Sequence, residues 1–268
     1  MSLGPVLVFT AHADDAEFWC GGLIAKFAAE GRDVYEVITT DNGRGTFELD
    51  ESTLVTQSRD KEAHEAARIL GKKEIFFLGY PDGFLGDTPV NVLREQFMRF
   101  VRKIRPFTVV TFDPTAVNEP HPDHRMVATA ACEAAGFANL PLYHPEHRNE
   151  GLQPHTVAET YYFAKNPEPA RINTVVDITP FIDKKIEAIC AHDSQMRMMI
   201  QDMRLSLQAT GDNPEMLESL DPENYRPPID MFVRMWNQRV GGREGYEYGE
   251  EFRYERAGDL IRNSAGEL

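Results

Sequence analysis

Val6-Leu7-Val8-Phe9-Thr10-Ala11-His12-Ala13-Asp14-Asp15-Ala16-Glu17 decides the architecture of this chain. Residues 6–9 form an apolar run of strand length, and residues 18–30 carry the apolar spacing of a helix that Gly31 stops. His12, Asp14 and Asp15 therefore sit where a strand hands over to a helix. Open α/β sheets build their sites along that carboxyl edge. Farther on, residues 108–112 form another strand-like run, and His121-Pro122-Asp123-His124 follows it at the entrance to the next helix. Imidazoles and carboxylates gathered at two strand ends are the parts of a catalytic metal site with an acid and a base beside it.

Around these two ends, short apolar runs alternate with amphipathic stretches, the pattern of βαβ units. Further strands are predicted at residues 34–39, 74–78, 157–163 and 174–178, and helices at 56–70, 90–104 and 124–135. A glycine-punctuated loop (41–45) and a Gly-Tyr-Pro-Asp-Gly turn (79–83) follow the second and third strands. Residues 137–155 read as a Pro-rich loop, 180 to about 208 as one long helix, 210–228 as turns and 231–239 as a short helix. The class is α/β, a doubly wound, mostly parallel, Rossmann-like sheet with a C-terminal extension. No repeat or linker divides the chain. Residues 1–268 are expected to form one domain, with the metal motifs in the half 1–136 and added strands, the long helix and a tail in 137–268.

The chain has 268 residues and 28 Lys plus Arg against 43 Asp plus Glu, a net charge of -15. A field of that sign repels phosphate backbones and anionic lipid, which argues against nucleic-acid and membrane partners. Cys20, Cys132 and Cys190 are an odd set without close pairing, each inside a helical apolar pattern, so they read as small buried hydrophobes in a reducing compartment. With no signal-peptide pattern and no apolar run of membrane-spanning length, a cytoplasmic location is the expectation.

Catalytic zinc typically takes three protein ligands and keeps one position open. His12 and Asp15, three residues apart across the strand-to-helix turn, can face one ion, and His124 joins from the start of its helix, which Pro122 suits. Two nitrogens and a carboxylate favour one zinc per chain, with manganese or ferrous iron as substitutes. Asp14 is left over as a base for water that the ion activates. His121 is a second spare group, which Asp123 could orient and charge so that it protonates a leaving amine or stabilises an oxyanion. A single His in a chain this long is commonly a surface or satisfied core residue, but that account must explain two acidic His clusters at matching strand ends.

His12-Ala13-Asp14-Asp15-Ala16-Glu17 and His121-Pro122-Asp123-His124 resemble the paired signatures of the LmbE-like, or PIG-L, deacetylase family. More of the chain is similar to it in order. Thr40-Asp41-Asn42-Gly43 resembles a Thr-x-x-Gly turn, Arg59 with Glu62 an Arg-x-x-Glu helix, and His192-Asp193-Ser194-Gln195 a His-x-Ser-Gln segment. Tyr248-Gly249-Glu250-Glu251-Phe252 is similar to a closing Ala-Glu-x-Phe motif. The resemblance implies a Rossmann-type zinc enzyme that removes acetyl groups from N-acetylglucosamine derivatives, such as chitin disaccharides or precursors of mycothiol, bacillithiol and GPI anchors. It implies His12, Asp15 and His124 as metal ligands, Asp14 as general base and His121, oriented by Asp123, as acid or oxyanion stabiliser. Ala13 departs from the family's usual Pro and costs no ligand.

Arg59, Asp41 and His192 are the expected substrate contacts. A guanidinium fork suits a carboxylate, phosphate or sugar hydroxyl, although Arg59 could equally spend itself on a surface pair with Glu62. For His192 the plainer reading is a helix-end residue. His144, His147 and His155 read as solvated loop residues, His64 as exposed, and the cluster Met196, Met198, Met199 and Met203 as core or interface. The expected partner is a small sugar conjugate, with homo-oligomerisation plausible. A phosphoesterase would want a second metal and more carboxylates. A structural zinc module would close its site with four, Cys-rich ligands. A nucleotide-binding Rossmann protein would need a glycine-rich phosphate loop that is missing.

Overall fold

The computed structural model describes residues 3–47, 52–165 and 171–258, with residues 52–58 as backbone only. In chain order the elements are β1 (Val6–Thr10), α1 (Asp15–Ala29), β2 (Val34–Thr40), α2 (Ser52–Leu70), β3 (Glu74–Tyr80), α3 (Val90–Ile104), β4 (Thr108–Phe112), α4 (Pro122–Phe137), β5 (Glu159–Phe163), β6 (Thr174–Asp177), α5 (Ile182–Cys190), α6 (Asp193–Thr210), α7 (Pro214–Ser219), α8 (Arg226–Gly241) and β7 (Gly249–Arg256). The strands form one seven-stranded sheet in the order β3-β2-β1-β4-β5-β7-β6. Pairings from β3 to β5 are parallel, and β7 runs antiparallel to both β5 and β6.

The order reverses between β1 and β4. Right-handed crossovers then place α1 and α2 on one face and α3 and α4 on the other, which leaves a crevice at the carboxyl ends of the two inner strands. The sheet is mixed and mostly parallel, as the alternation of runs implied. β1 and β4 are buried along their whole length, the reason both read as continuous apolar runs rather than alternating ones. Against them pack Leu23, Ile24 and Phe27 of α1, Leu93, Phe97 and Val101 of α3, and Val127, Ala131 and Ala134 of α4. Each fully buried large side chain contributes about 1.5–3 kcal/mol of hydrophobic stabilisation. A second cluster joins Ile182, Ile186 and Ile189 of α5 to Met196 and Ile200 of α6 and Ile229 and Val233 of α8.

Three differences from the sequence reading have physical causes. The predicted single helix over 180–208 is two helices, because His192 leaves helical geometry (φ -84°, ψ 63°) between α5 and α6 and its ring is buried beside Glu17. The expected tail contains β7, whose Glu250 is buried. Its two carboxylate oxygens accept the main-chain N–H groups of Gly22 and Leu23, each at 2.8 Å, and one also takes the Lys185 ammonium at 2.7 Å. The carboxylate thus caps the second half of α1, which restarts after a break at Cys20 (φ -144°, ψ 19°). Finally, His147 in the Pro-rich loop is fully buried, not solvated. Its Nδ1 accepts from Arg102 at 2.8 Å and its Nε2 lies 2.8 Å from Glu95.

Among the described residues no helix is long and apolar enough to cross a membrane. Cys20 and Cys190 are buried, Cys132 is partly so, and all are free thiols.

Candidate active site

β1 ends at Thr10, and the chain turns through Ala11-His12-Ala13 into α1. Asp15 folds its carboxylate back over that turn, so that one oxygen accepts the N–H groups of His12 and Ala11 at 2.7 and 3.1 Å. Ala13 donates its N–H to Asn42 Oδ1 at 2.8 Å. Proline could not make that bond, so the departure at Ala13 exchanges a fixed φ for an anchor onto the loop after β2. Asn42 supplies the oxygen from a left-handed conformation, φ 59°. At the end of β4, Pro122 opens α4 and His121 serves as its N-cap, with Nδ1 accepting the Asp123 N–H at 3.3 Å.

The three expected metal ligands converge. His12 Nδ1 lies 3.3 Å from His124 Nε2 and 3.5 Å from an Asp15 oxygen, and the other Asp15 oxygen is 3.3 Å from His124 Nε2. A tetrahedral ion with bonds of about 2.0–2.2 Å holds its ligands roughly 3.3–3.6 Å apart; the His12–His124 edge falls in that range, and the two Asp15 contacts run to its two different carboxylate oxygens. His121 also offers a nitrogen to this group, its donor atoms and those of His12 and His124 all lying within 4.8 Å of one another. The His124 ring is held between Phe112 and His121, with centroid separations of 4.3 and 4.5 Å and nearly parallel planes.

The buried carboxylates favour positive charge on the two imidazoles. Burial alone would raise the Asp15 carboxyl, yet His124 and His12 hold it far below the usual carboxylate range. Burial would lower the His124 imidazole, but Asp15 and Glu119 push it up to about 9. His12 is also raised against its burial, by Asp123, Asp15 and Asp82. Surroundings that draw protons onto buried imidazoles draw a divalent ion in their place.

Asp14 occupies the N-cap position of α1 but spends no oxygen on capping, and no hydrogen bond to its carboxylate occurs among the described residues. Burial and the neighbouring Asp15 charge raise it above the ordinary Asp value, against the pull of Arg59 and His192. His121 is lowered, by burial and by His12 and His124. With Nδ1 occupied as an acceptor, its neutral ring carries the proton on Nε2.

The structure corrects the expected partner of Asp123. Its carboxylate lies 3.3 Å from His12 Nε2 and accepts the Gly83 and Leu85 N–H groups at 2.7 and 3.0 Å, so the side chain meets His12 while only the main-chain N–H of Asp123 reaches His121. Two N–H donors from the turn after β3 pull it that way. Asp82 in the same turn is the second carboxylate on His12 Nε2, at 3.1 Å, and also accepts the Arg44 N–H. The sequence reading marked this turn and missed its Asp, although a turn that ends a strand at the same sheet edge was the available signal.

A cavity of about 470 Å³ opens over the triangle. Its floor includes His12, Asp14, Asp15 and His124, and Arg44, Arg59, Gln195, Phe18, Trp19 and Met199 line its sides. The size suits a small ligand. Arg59 is buried, donates to Gly45 O at 2.9 Å and to Gln195 Oε1, and keeps a buried Nε without a partner among the described residues. It does not pair with Glu62, whose carboxylate goes instead to Ser194. An added Cβ at Gly45 would meet the Arg59 guanidinium at 2.1 Å, so a larger residue there would displace that side chain. The other two expected substrate residues do not line the cavity. Asp41 turns back onto its loop and accepts the Gly43 and Asp82 N–H groups at 3.0 and 3.2 Å. His192 is buried 3.5 Å from Glu17, which also takes the Lys72 ammonium at 2.6 Å. Both side chains support the wall from behind.

Comparisons with known proteins place the chain among deacetylases. The profile of the PIG-L family, described as GlcNAc-PI de-N-acetylase, matches residues 7–135, which include both His motifs. The chain is 34% identical over 192 residues to diacetylchitobiose deacetylase of Thermococcus kodakarensis, an alignment covering 71% of this chain and 69% of that protein. It is 30% identical to 1D-myo-inositol 2-acetamido-2-deoxy-alpha-D-glucopyranoside deacetylase of Rhodococcus jostii, over 73% of this chain and 83% of the other. In three dimensions it superposes on N,N'-diacetylchitobiose deacetylase of Pyrococcus horikoshii with a TM-score of 0.75 at 29% identity, over 94% of this chain and 84% of that one. The chain belongs to the PIG-L, or LmbE-like, deacetylase family.

Proposed function

We propose that this protein is a zinc-dependent N-deacetylase that hydrolyses the acetamide of an N-acetylglucosamine-type sugar conjugate. The observation that carries the reading is the His12, Asp15 and His124 triangle, which faces a ligand-sized cavity beside an unspent Asp14 carboxylate. The named activities of the relatives supply the substrate class.

His12, Asp15 and His124 would hold the ion, and their nitrogen-rich set favours zinc over magnesium, with manganese or ferrous iron as substitutes. Bound there, zinc supplies a Lewis acid that lowers the pKa of water and polarises a carbonyl. The remaining work falls to side chains. Asp14, whose carboxylate is spent on no cap, takes the proton of the attacking water. His121 offers its Nε2–H to the developing oxyanion or the departing nitrogen. The proton held by Asp14 then passes to the departing sugar nitrogen, and the products are acetate and a free amine. Asp82 and Asp123 keep the His12 ring in register, and Arg59 offers a guanidinium donor to a substrate oxygen.

The test is a screen of N-acetylglucosamine conjugates for release of free amine, with and without a chelator. Amine release that chelation abolishes and added zinc restores supports the reading. Turnover insensitive to chelation, or its absence across conjugates by a zinc-loaded protein, overturns it.

A further inference from the structure

We propose that Glu119, in the loop between β4 and α4, is the positioning carboxylate of His124, and that it selects which imidazole nitrogen the metal receives. The inference rests on the metal-site reading above. Each of the two His ligands has one nitrogen in the triangle and one turned away. For His12 the far nitrogen is Nε2, served by Asp82 and Asp123. For His124 the far nitrogen is Nδ1, which is buried and has no hydrogen bond in line with it. The polar group beside it is Glu119 Oε1, 3.3 Å away.

Stacking between Phe112 and His121 fixes the plane of the His124 ring. It does not fix the rotation within that plane, nor the tautomer. A carboxylate beside Nδ1 does both, because it accepts a proton there and leaves the Nε2 lone pair for a cation. Glu119 is itself built into place. Its Oε1 accepts the His121 N–H at 2.9 Å, and Arg125 clamps the carbonyls of Glu119 and Pro120 at 2.8 and 2.7 Å. Its side chain is 7% exposed. One carboxylate thereby ties His121 to His124 and sets both relative to α4.

The experiment measures zinc affinity by competition with a chromophoric chelator for the wild type, Glu119→Ala and Glu119→Gln, together with nitrogen-15 spectra of the zinc-loaded His124 ring. Glu119→Ala should weaken zinc binding about 10- to 100-fold. Glu119→Gln keeps an oxygen acceptor in place and should recover most of that loss, while the His124 Nδ1–H resonance shifts as its acceptor loses charge. Equal zinc affinity in all three proteins, or a His124 Nδ1–H signal unmoved in Glu119→Gln, overturns the proposal. If Glu119→Ala fails to fold, the Glu119→Gln spectrum decides alone. A wild type that binds no zinc overturns the metal reading itself, and this inference with it, a result distinct from tight binding that Glu119 does not influence.

Discussion

Glu62 of α2 accepts both the main-chain N–H and the hydroxyl of Ser194 at the start of α6, at 3.0 and 2.7 Å. Three residues earlier on the same helix, Arg59 donates to Gln195, the neighbour of Ser194. Two motifs far apart in sequence thus form one clasp that holds a cavity-lining guanidinium. Hydrogen bonds to a charged group are worth about 1.5–3 kcal/mol, reduced here because both partners are partly exposed. Glu62→Ala should lower stability by roughly 1–2 kcal/mol and raise KM more than it lowers kcat, since Arg59 keeps its chemistry and loses its seat. Thermal unfolding and steady-state kinetics check this, and an unchanged KM would show that the clasp does not position Arg59.

Asp14→Ala should reduce kcat by roughly 10²–10⁴, the usual contribution of a general base, while leaving metal content unchanged. The carboxylate touches none of the hydrogen bonds that hold the triangle together. Rate and metal content measured on the same preparation check the prediction. Near-normal turnover would remove Asp14 from the base role.

Lys72 is buried between Glu17 and Glu36, 2.6 Å from each. Lys72→Met would leave the buried Glu36 without its cation and Glu17 with His192 alone, at a cost of about 3–5 kcal/mol. The sign of the pH dependence follows from the shifts. Burial alone would raise the Glu17 carboxyl, but Lys72 and His192 bring it down to about 2. A depressed carboxyl contributes stability that is present above its unfolded value, about 4.3, and is lost as pH falls through its folded value. Lys72 is raised despite burial, by Glu17 and Glu36, so its contribution is complete throughout the neutral range. The Glu17 contribution should therefore erode between roughly pH 4 and pH 2, opposed in part by Glu36, whose carboxyl burial raises, and Lys72→Met should flatten that part of the curve. Denaturant titrations across this range supply the measurement.

The same substitution should have opposite signs at two glycines. An added Cβ at Gly22 would lie 2.6 Å from Ile178, so Gly22→Ala overpacks the junction of α1 with the segment that follows β6 and should cost about 1–3 kcal/mol. At Gly136, inside α4, a Cβ meets nothing within 4 Å, so Gly136→Ala should gain about 0.5–1 kcal/mol from helix propensity and a stiffer unfolded chain. Trimming Ile178 to Val alongside Gly22→Ala should recover part of the loss.

The strands at the switch point were legible because β1 and β4 are buried on both faces and read as unbroken apolar runs. That His12, Asp15 and His124 come together was legible because strand ends at one sheet edge restrict where their side chains can lie. What escaped depends on partners distant in sequence. β7 is charged at Glu250 and Glu251, and only the burial of Glu250 against Lys185 and α1 makes it a central strand. The break at His192 follows from a seat beside Glu17, which helical periodicity cannot report. Asp123 was assigned to His121 by adjacency, whereas the N–H groups of Gly83 and Leu85 draw its carboxylate to His12. Asp82 and Glu119 went unnoticed because each acts on an imidazole supplied by another segment.

Zinc titration of chelator-stripped protein tests the central claim most directly. The account requires about one tightly bound zinc per chain in the wild type and loss of that binding in both His12→Ala and His124→Ala, with each variant still folded by circular dichroism. A wild type that takes up no zinc, or folded variants that retain it at undiminished affinity, would contradict the metal site on which the proposed chemistry stands.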